Sequence, residues 1–302
     1  MASSDLFGSD RPCRPVSSSR HPAVRSIAPA FDAEVGRPSA CRAIVKIGTA
    51  NERNALLEVK DAARLYGGVV AVQNITFNVL AGEIVGLIGP NGAGKTTLVN
   101  MISGTTTPSR GVLTFDGHRL NGKSPHAISR LGIARTFQIV RPFANMTVLE
   151  NVAVGAMYGA GGRDRNAGQA FQRARDVLDF VGLADRHAQP AEALTIGGRK
   201  RLELARALAM DPRLLLLDEV MAGLRGTEID QAMDLIHKIS ASGITILIIE
   251  HVMRVIVGVC QRIVVLDYGR QIAEGTPDEV TKDPEVIAAY LGKRYAERHG
   301  IQ

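Results

Sequence analysis

The segment GEIVGLIGPNGAGKTT, residues 82–97, decides the fold of this chain. It includes Glu83 to Ile88, a largely apolar stretch with the length of a buried β-strand, and it ends where we predict a helix from Lys95. The turn between them matches the pattern GxxxxGK(S/T) with both required flanks present. Glycines let a backbone pass close to phosphate, and N–H groups at a helix start point at its oxygens. The sequence therefore predicts a phosphate-binding loop in an α/β fold.

The side chains of this loop extend the predicted site. Lys95 places a cation against the β- and γ-phosphates of a nucleotide, and Thr96 offers its hydroxyl to Mg²⁺. A nucleoside triphosphate with Mg²⁺ is therefore the expected ligand, and the identity of its base is open at this point. The predicted nucleotide-binding residues of the loop are Gly89, Asn91, Gly92, Gly94, Lys95, Thr96 and Thr97.

A second apolar strand delivers two carboxylates. The run LLLLDE, residues 214–219, ends in Asp218 and Glu219, and open α/β sheets bind ligands at the carboxyl ends of their strands. Asp218 is suited to support Mg²⁺ and Glu219 to orient or deprotonate the attacking water, because phosphoryl transfer depends on positioning and charge neutralisation. Taken alone, such a pair is more often a helix cap or a loop. Together with Lys95 it indicates a P-loop NTPase, a class that includes kinases, GTPases and DNA motors.

Two further polar residues are candidates for the catalytic site. Gln138 stands where the core gives way to a helical region, so its amide is placed to sense Mg²⁺ and water while moving that region. His251 follows the apolar run at 245–249, a strand that we expect beside the Asp218 strand and within reach of a γ-phosphate. A lone histidine at a strand end is usually a hydrogen-bonded surface residue, so the assignment depends on the other motifs.

The segment LTIGGRKRLELARAL, residues 194–208, narrows the class. It resembles the signature segment of ABC ATPases, and its order and spacing with the other motifs match that family over roughly residues 55 to 295. In the family, the signature of one subunit caps the ATP held by the phosphate loop of the other. Thr195 and the N–H of Gly197, at a helix N-terminus, make an anion site for that purpose. Tyr66 matches the position where the family stacks an aromatic ring on adenine, although a core or surface tyrosine is the alternative.

Some positions depart from the family pattern. Thr195 replaces serine conservatively, Ile196 removes the backbone freedom of one glycine, and Val220 stands where proline commonly follows the acidic pair. The stretch AGLR at 222–225 is a variant of the loop that couples the two ATP sites. Amino-acid importer ATPases often relax these motifs, so the resemblance still implies activity.

Several segments resemble the branched-chain amino-acid importer ATPases in particular. They are GGVVAV at 67–72, RTFQ at 135–138, MTVLENV at 146–152, IEH at 249–251, EGTP at 274–277 and AYLG at 289–292. By implication, the chain pairs with a second ATPase, and the pair docks on two membrane permeases that are fed by a periplasmic binding protein. Docking would use a groove beside Gln138, at the cytoplasmic face of the inner membrane, and the chain would be a peripheral subunit.

Other functions remain open at this point. The solute never contacts this chain, so other amino acids, urea or short amides are alternatives, as is lipopolysaccharide-type export. A soluble ABC ATPase acting on DNA or ribosomes usually has two cassettes or a long coiled coil, and neither is evident here. A non-hydrolytic nucleotide binder is disfavoured by Glu219 and His251.

Composition fits one globular cassette. The chain has 302 residues, 45% of them apolar, and no apolar run approaches the roughly 18 to 20 residues of a membrane span. Its net charge of +6 is spread thinly, so we expect a solvated surface and no nucleic-acid partner. Cys13, Cys41 and Cys260 lie far apart, which suggests neither a disulfide framework nor a zinc site and favours a reducing cytoplasm.

The predicted organisation has three parts. Residues 1–54 are rich in Ser, Pro, Arg and Ala, carry no apolar secretory signal, and are predicted to be a disordered tail or a gene-calling artefact. Residues 55–295 form the ATPase domain, with an N-terminal antiparallel β subdomain, a parallel core sheet and a helical insertion at about 139–210; a short tail, 296–302, follows. Strands are expected at 57–60, 69–79, 83–88, 214–217, 245–249 and 262–266, and helices at 148–157, 171–181 and 228–240.

Overall fold

The computed structural model describes residues 55–137, 142–160 and 165–291. The predicted tails at 1–54 and 296–302 and the candidate Gln138 lie outside the described residues. In the part of the chain that is described, no helix has both the length and the apolar character needed to cross a membrane.

The described core contains a six-stranded sheet with the order β10-β9-β3-β8-β7-β6. Its strands are β3 Ile84–Ile88, β6 Ile133–Arg135, β7 Leu214–Asp218, β8 Thr245–Ile249, β9 Arg262–Asp267 and β10 Arg270–Gly275. Neighbouring strands pair in parallel, except for β10, which runs antiparallel to β9 at one edge. Every residue of β3, β7 and β8 is buried, as expected for parallel strands that are covered on both faces. The predicted parallel core is confirmed.

Helices connect these strands. They are α1 Lys95–Ile102, α2 Pro125–Leu131, α6 Thr227–Ala241, α7 Met253–Val259, α8 Pro277–Lys282 and α9 Pro284–Leu291. Helix α1 starts at Lys95 as predicted, and α6 matches the expected helix at 228–240 to within one residue at each end. The crossover from β7 to β8 through α6 is a βαβ unit of the kind that builds parallel sheets.

A four-stranded antiparallel sheet with the order β2-β1-β4-β5 packs beside the core. Its strands are β1 Ala55–Tyr66, β2 Val69–Leu80, β4 Arg110–Phe115 and β5 His118–Arg119. The strand expected at 57–60 is present but longer than predicted, because β1 begins at Ala55 and continues to Tyr66 through a register shift between Val59 and Ala62. Asp61 sits at this bulge with φ +49°, and its N–H donates to the Thr76 hydroxyl at 2.9 Å. A bulge thus absorbs the residue that interrupts the alternating pattern.

In the described part of the predicted helical insertion, the α-helices are α3 Val148–Tyr158, α4 Ala167–Phe180 and α5 Ile196–Ala209. Helix α4 begins four residues earlier than the expected helix at 171–181. The Asn166 side chain accepts from the Gln169 N–H, and the Gln169 side chain accepts from the Asn166 N–H, both at 2.9 Å. This reciprocal capping box satisfies the first turn and fixes where the helix starts.

Candidate functional site

Three strands of the core sheet end at the candidate site. Ile249, the last residue of β8, pairs with Leu87 of β3 on one side and with Asp218 of β7 on the other. Gly89 follows the first of these strands, and His251 follows β8 on the exposed surface. The structure therefore brings the phosphate loop, the acidic pair and His251 to one edge of the sheet, and it confirms that the His251 strand lies beside the Asp218 strand.

The phosphate loop can be built only from glycine at two points. Gly89 has φ +147°, and a Cβ there would lie 2.0 Å from the carbonyl oxygen of Leu266. Gly94 has φ +101°, and its Cβ would lie 2.7 Å from the carbonyl oxygen of Ala71. Gly94 is also the N-cap of α1, and no side chain of the described residues caps that helix start. The first N–H groups of α1 are therefore available for an anion.

Lys95 lies inside this loop and is only 9% exposed. Its Nζ donates to the carbonyl oxygens of Gly89 at 2.7 Å and Pro90 at 2.9 Å. Burial lowers the pKa of Lys95, while the nearby carboxylates of Glu219 and Asp218 act to raise it. A phosphate group would give the buried ammonium an anionic hydrogen-bond acceptor, and such charge-assisted bonds are stronger than those to neutral carbonyls.

The two sheets meet around the phosphate loop. The N–H of Gly269, in the β9–β10 turn, donates to the carbonyl of Ala93 at 3.0 Å, and the N–H of Gln73 in β2 donates to the carbonyl of Gly269 at 2.7 Å. At the end of β1, the Tyr66 side chain is 45% exposed, and the guanidinium of Arg64 lies 4.6 Å from its ring centroid. Tyr66 is thus an exposed aromatic residue of the antiparallel sheet, which contacts the β9–β10 turn beside the phosphate loop. Stacking of its ring on adenine stays a prediction.

Asp218 is held by an arginine that the sequence analysis did not single out. The carboxylate is 4% exposed, and its Oδ2 accepts from Arg135 Nη2 at 2.7 Å. Nη1 of the same guanidinium donates to Asn100 Oδ1 at 2.6 Å and to Ser103 Oγ at 3.1 Å. Arg135 thereby ties the predicted Mg²⁺ ligand to the end of α1. The feature that could have indicated the role of Arg135 is its position at the end of β6, the strand that pairs with β7.

Glu219 adopts a strained backbone conformation. Its φ is +50°, a region that costs a non-glycine residue roughly 1–2 kcal/mol. Its N–H donates to the Ile249 carbonyl at 2.9 Å, and its own carbonyl accepts from Lys200 Nζ at 3.1 Å and from the Ala222 N–H at 3.2 Å. Lys200 belongs to α5, so the signature helix touches the turn that carries the predicted catalytic carboxylate. Sequence reasoning missed this contact.

Glu203 on α5 contacts Phe137, the last described residue before Gln138. Its carboxylate is buried and accepts from the backbone N–H of Phe137, the residue before Gln138. Burial raises the pKa of Glu203, and the hydrogen bond from Phe137 opposes that shift. The chain that leads into Gln138 is thus fastened to the signature helix, while the role of Gln138 itself stays a prediction.

The signature residues lie at the start of α5 and face outward. Thr195 is the N-cap, and its hydroxyl accepts from the Gly198 N–H at 3.2 Å. Ile196 is 63% exposed. A Cβ on Gly197 would lie 3.0 Å from Glu228 Oε1 and 3.7 Å from Leu224 Cδ2. The Glu228 side chain is exposed, and its Oε2 accepts from the Arg225 N–H at 3.2 Å. The start of α5 is therefore partly exposed, with the Glu228 carboxylate beside it, and the anion site at Gly197 stays a prediction.

The donors at the sheet edge suit a magnesium nucleotide. Thr96 offers an exposed hydroxyl and Asp218 a carboxylate, both of them hard oxygen ligands of the kind that Mg²⁺ prefers. Over residues 55–137, 142–160 and 165–291, no group of three or more His, Cys, Asp or Glu side chains forms a metal cage. Mg²⁺ commonly uses one or two protein oxygens together with phosphates and water, so these two residues fit it.

Comparison with known proteins gives two family matches. The profile described as ABC transporter matches residues 72–222. The profile described as branched-chain amino acid ATP-binding cassette transporter matches residues 270–296, which include β10 and the helices α8 and α9.

Individual proteins agree with these profiles. The high-affinity branched-chain amino acid transport ATP-binding protein BraF of Pseudomonas aeruginosa is 37% identical over 250 residues, which cover 79% of this chain and 98% of that protein. A solved ABC transporter cassette in its ADP conformation has a TM-score of 0.72 and 29% identity, covering 80% of this chain and all of that one. A dimeric cassette bound to ADP and Pi has a TM-score of 0.66 and 26% identity, covering 73% of this chain and 98% of that one.

Proposed function

Because the chain belongs to the ABC transporter family of ATP-binding subunits, we propose that it is the ATP-hydrolysing subunit of an importer for branched-chain amino acids. The observation that carries the chemistry is the strand register that brings the Lys95 loop, the pair Asp218–Glu219 and His251 to one edge of the sheet. The similarity of the chain to BraF over 250 residues supports the choice of solute.

Each residue has a part in the proposed reaction. Lys95 and the N–H groups at the start of α1 bind the phosphates, and Tyr66 stacks on adenine. Thr96 and Asp218 hold Mg²⁺, which when bound neutralises charge on the phosphates. Glu219 orients the attacking water and accepts its proton, because positioning is the main catalytic resource in phosphoryl transfer. His251 contacts the γ-phosphate, and Gln138 senses the metal.

The proposed assembly contains two cassettes. The exposed signature at Thr195–Gly197 caps ATP bound to a second ABC ATPase subunit, identical or related, and the similarity to a dimeric cassette supports this arrangement. The pair docks on two permeases, which receive solute from a periplasmic binding protein at the inner membrane. This chain is then a peripheral subunit on the cytoplasmic face, and residues 55–295 form its working domain.

A single variant tests both the chemistry and the transport. Glu219→Gln keeps the shape of the side chain but removes its base, so it should bind ATP and hydrolyse it at least about tenfold more slowly, a barrier increase of about 1.4 kcal/mol or more. Steady-state phosphate release measures this change. Glu192→Gln, which makes the same substitution at an exposed residue of a surface turn, is the matched control and should leave turnover unchanged.

The same variant identifies the cargo. In cells that lack the native gene, the wild-type chain should restore uptake of labelled leucine, isoleucine and valine, and Glu219→Gln should not. Unchanged ATP turnover in Glu219→Gln would refute the catalytic assignment. Restored uptake of urea, or of other amino acids in place of these three, would refute the choice of solute and leave the ATPase assignment intact.

A further inference from the structure

Glu250 is a buried carboxylate with no part in the reaction described above. It stands between Ile249, the end of β8, and His251, and it is 1% exposed. Burial raises the pKa of Glu250, and the nearby Glu219 acts in the same direction, whereas the N–H groups of Met221 and His251 and the charge of His251 act to lower it. A titratable group in such a place requires a physical explanation.

The contacts of Glu250 lead to the catalytic turn. Its Oε1 accepts from the backbone N–H of Met221 at 2.8 Å, two residues after Glu219. Met221 is itself buried, and its carbonyl accepts from the Leu224 N–H at 3.1 Å. The carboxylate of Glu250 therefore holds the loop that leaves the strained Glu219 position, opposite the bond from the Glu219 N–H to Ile249.

The burial of the second carboxylate oxygen of Glu250 lowers the stability of the fold. Oε2 of Glu250 is buried and accepts no hydrogen bond of normal geometry within the described part of the chain, although the His251 N–H lies near enough to the carboxylate to lower its pKa. A buried polar atom without a partner costs about 1–3 kcal/mol, so an apolar side chain of similar length would suit this position better for stability. Polar groups kept at such a disadvantage are expected mainly where a protein functions.

We propose that Glu250 is a positioning residue for ATP hydrolysis, which holds Glu219 in its catalytic orientation through the Met221 N–H. The inference rests on the proposed role of Glu219. Because Glu250 directly precedes His251 in the chain, one side chain also fixes the end of β8 relative to the turn after β7. The loss of this bond should slow the chemical step and leave ATP binding unchanged, since Lys95 and the start of α1 bind the phosphates.

Three variants separate positioning from a general contribution to stability. Glu250→Leu removes the acceptor and keeps the volume. Glu250→Gln restores a side-chain oxygen that accepts from the Met221 N–H. Thr245→Val is the matched control, because the Thr245 hydroxyl is also a buried acceptor, for the Gly82 N–H at 2.9 Å, at the opposite end of the same strand.

The readouts are kcat and KM for ATP in the full chain, together with the melting temperature. We expect Glu250→Leu to lower kcat at least about tenfold with KM within about twofold, the pattern of an interaction lost from the transition state. Glu250→Gln should recover kcat to within about threefold of wild type, and Thr245→Val should leave kcat unchanged. If Glu250→Leu does not fold, Glu250→Ala, which also has no hydrogen-bond acceptor in its side chain, takes its place under the same criteria.

Contrary results are equally clear. Full activity in Glu250→Leu, turnover in Glu250→Gln as slow as in Glu250→Leu, or an equal loss in Thr245→Val would each overturn the inference. Glu219→Gln shows which proposal has failed. Its unchanged turnover would remove both proposals, whereas slow turnover in Glu219→Gln with full activity in Glu250→Leu would remove this one alone.

Discussion

Two helices of this molecule begin in glycine-rich segments, α1 after the phosphate loop and α5 at the signature. At α1, Gly89 and Gly94 have positive φ values, and a Cβ on either would strike a backbone oxygen of the same chain. At α5, a Cβ on Gly197 would meet side-chain atoms and no backbone atom, the nearest being the Glu228 Oε1 at 3.0 Å. The two helix starts also differ in capping, because a threonine hydroxyl caps α5 whereas a glycine is the N-cap of α1.

The difference separates two reasons for a glycine. The phosphate loop needs glycine in order to fold, because backbone atoms of neighbouring strands lie too close to leave room for a side chain. At the signature, a methyl group on Gly197 would meet a side-chain oxygen, which can move, and no backbone atom, so we expect this glycine to matter mainly through the proposed contact with a second subunit. In the sequence, both segments are simply glycine-rich. The two reasons for glycine can be told apart once the backbone around each segment is known.

The largest expected effect tests the first half of this comparison. In Gly89→Ala the new Cβ lies 2.0 Å from the Leu266 carbonyl oxygen, a backbone atom of β9. We expect a loss of more than about 3 kcal/mol in the free energy of unfolding, or about 6–12 °C in melting temperature. Gly92→Ala is the control: it has a positive φ but no described atom within 4 Å of its Cβ, so it should lose only about 1 kcal/mol. Equal melting of both variants would contradict this account.

The next effect concerns the ligand for which the loop is built. Lys95→Ala should weaken ATP binding about 10- to 100-fold, because a hydrogen bond to a charged group contributes about 1.5–3 kcal/mol. Melting without nucleotide should change little, since the desolvation of the buried ammonium offsets its two bonds to the loop carbonyls. Calorimetric titration with ATP measures the change, with exposed Lys123→Ala as the control. Wild-type affinity in Lys95→Ala would contradict the role of the loop.

A smaller and more selective effect is expected at the signature. Gly197→Ala should melt within about 2 °C of wild type, because only the Glu228 side chain has to move. Its ATP binding as a monomer should also be unchanged. ATP-dependent dimerisation, followed by light scattering, and ATP turnover should fall about tenfold, close to 1.4 kcal/mol. A variant that dimerises and turns over normally would show that nothing outside the chain requires this glycine.

The smallest effect concerns the cap that distinguishes α5 from α1. Thr195→Ala removes the acceptor of the Gly198 N–H and should destabilise the chain by about 1 kcal/mol, or 2–4 °C in melting temperature. Thr195→Ser keeps the hydroxyl and should melt as wild type does. Identical melting of the alanine and serine variants would mean that α5 does not depend on its cap.

Features with a local origin could be predicted from the sequence. The strand at 245–249, the helix from Lys95 and the helix at 228–240 follow from short-range periodicity and from one motif, and the structure agrees with each. Short elements such as β5 and β6 could not be predicted, because two or three residues carry no period and form strands only when a neighbour supplies hydrogen bonds.

The motif residues were predictable, whereas the residues that support them were not. Arg135 contacts Asp218 across 83 positions of sequence, and Glu250 reaches Met221 across 29. Such contacts follow from which strands are neighbours, and the sequence states that order only indirectly. The strained backbone of Glu219 could not be predicted from the sequence either, because a positive φ at glutamate is imposed by the fold and not by local preference.

The bond from Lys200 to the Glu219 carbonyl has a consequence for how two cassettes would work together. In the proposed dimer, the exposed end of α5 would meet the nucleotide of the neighbouring subunit, and Lys200 is only a few residues from that end. The ammonium group of Lys200 would then link the surface that meets this nucleotide to the backbone of Glu219, the proposed water-activating residue. Occupancy of one half of the dimer would in this way set the readiness of the other, so that the two halves act in concert and not as independent machines.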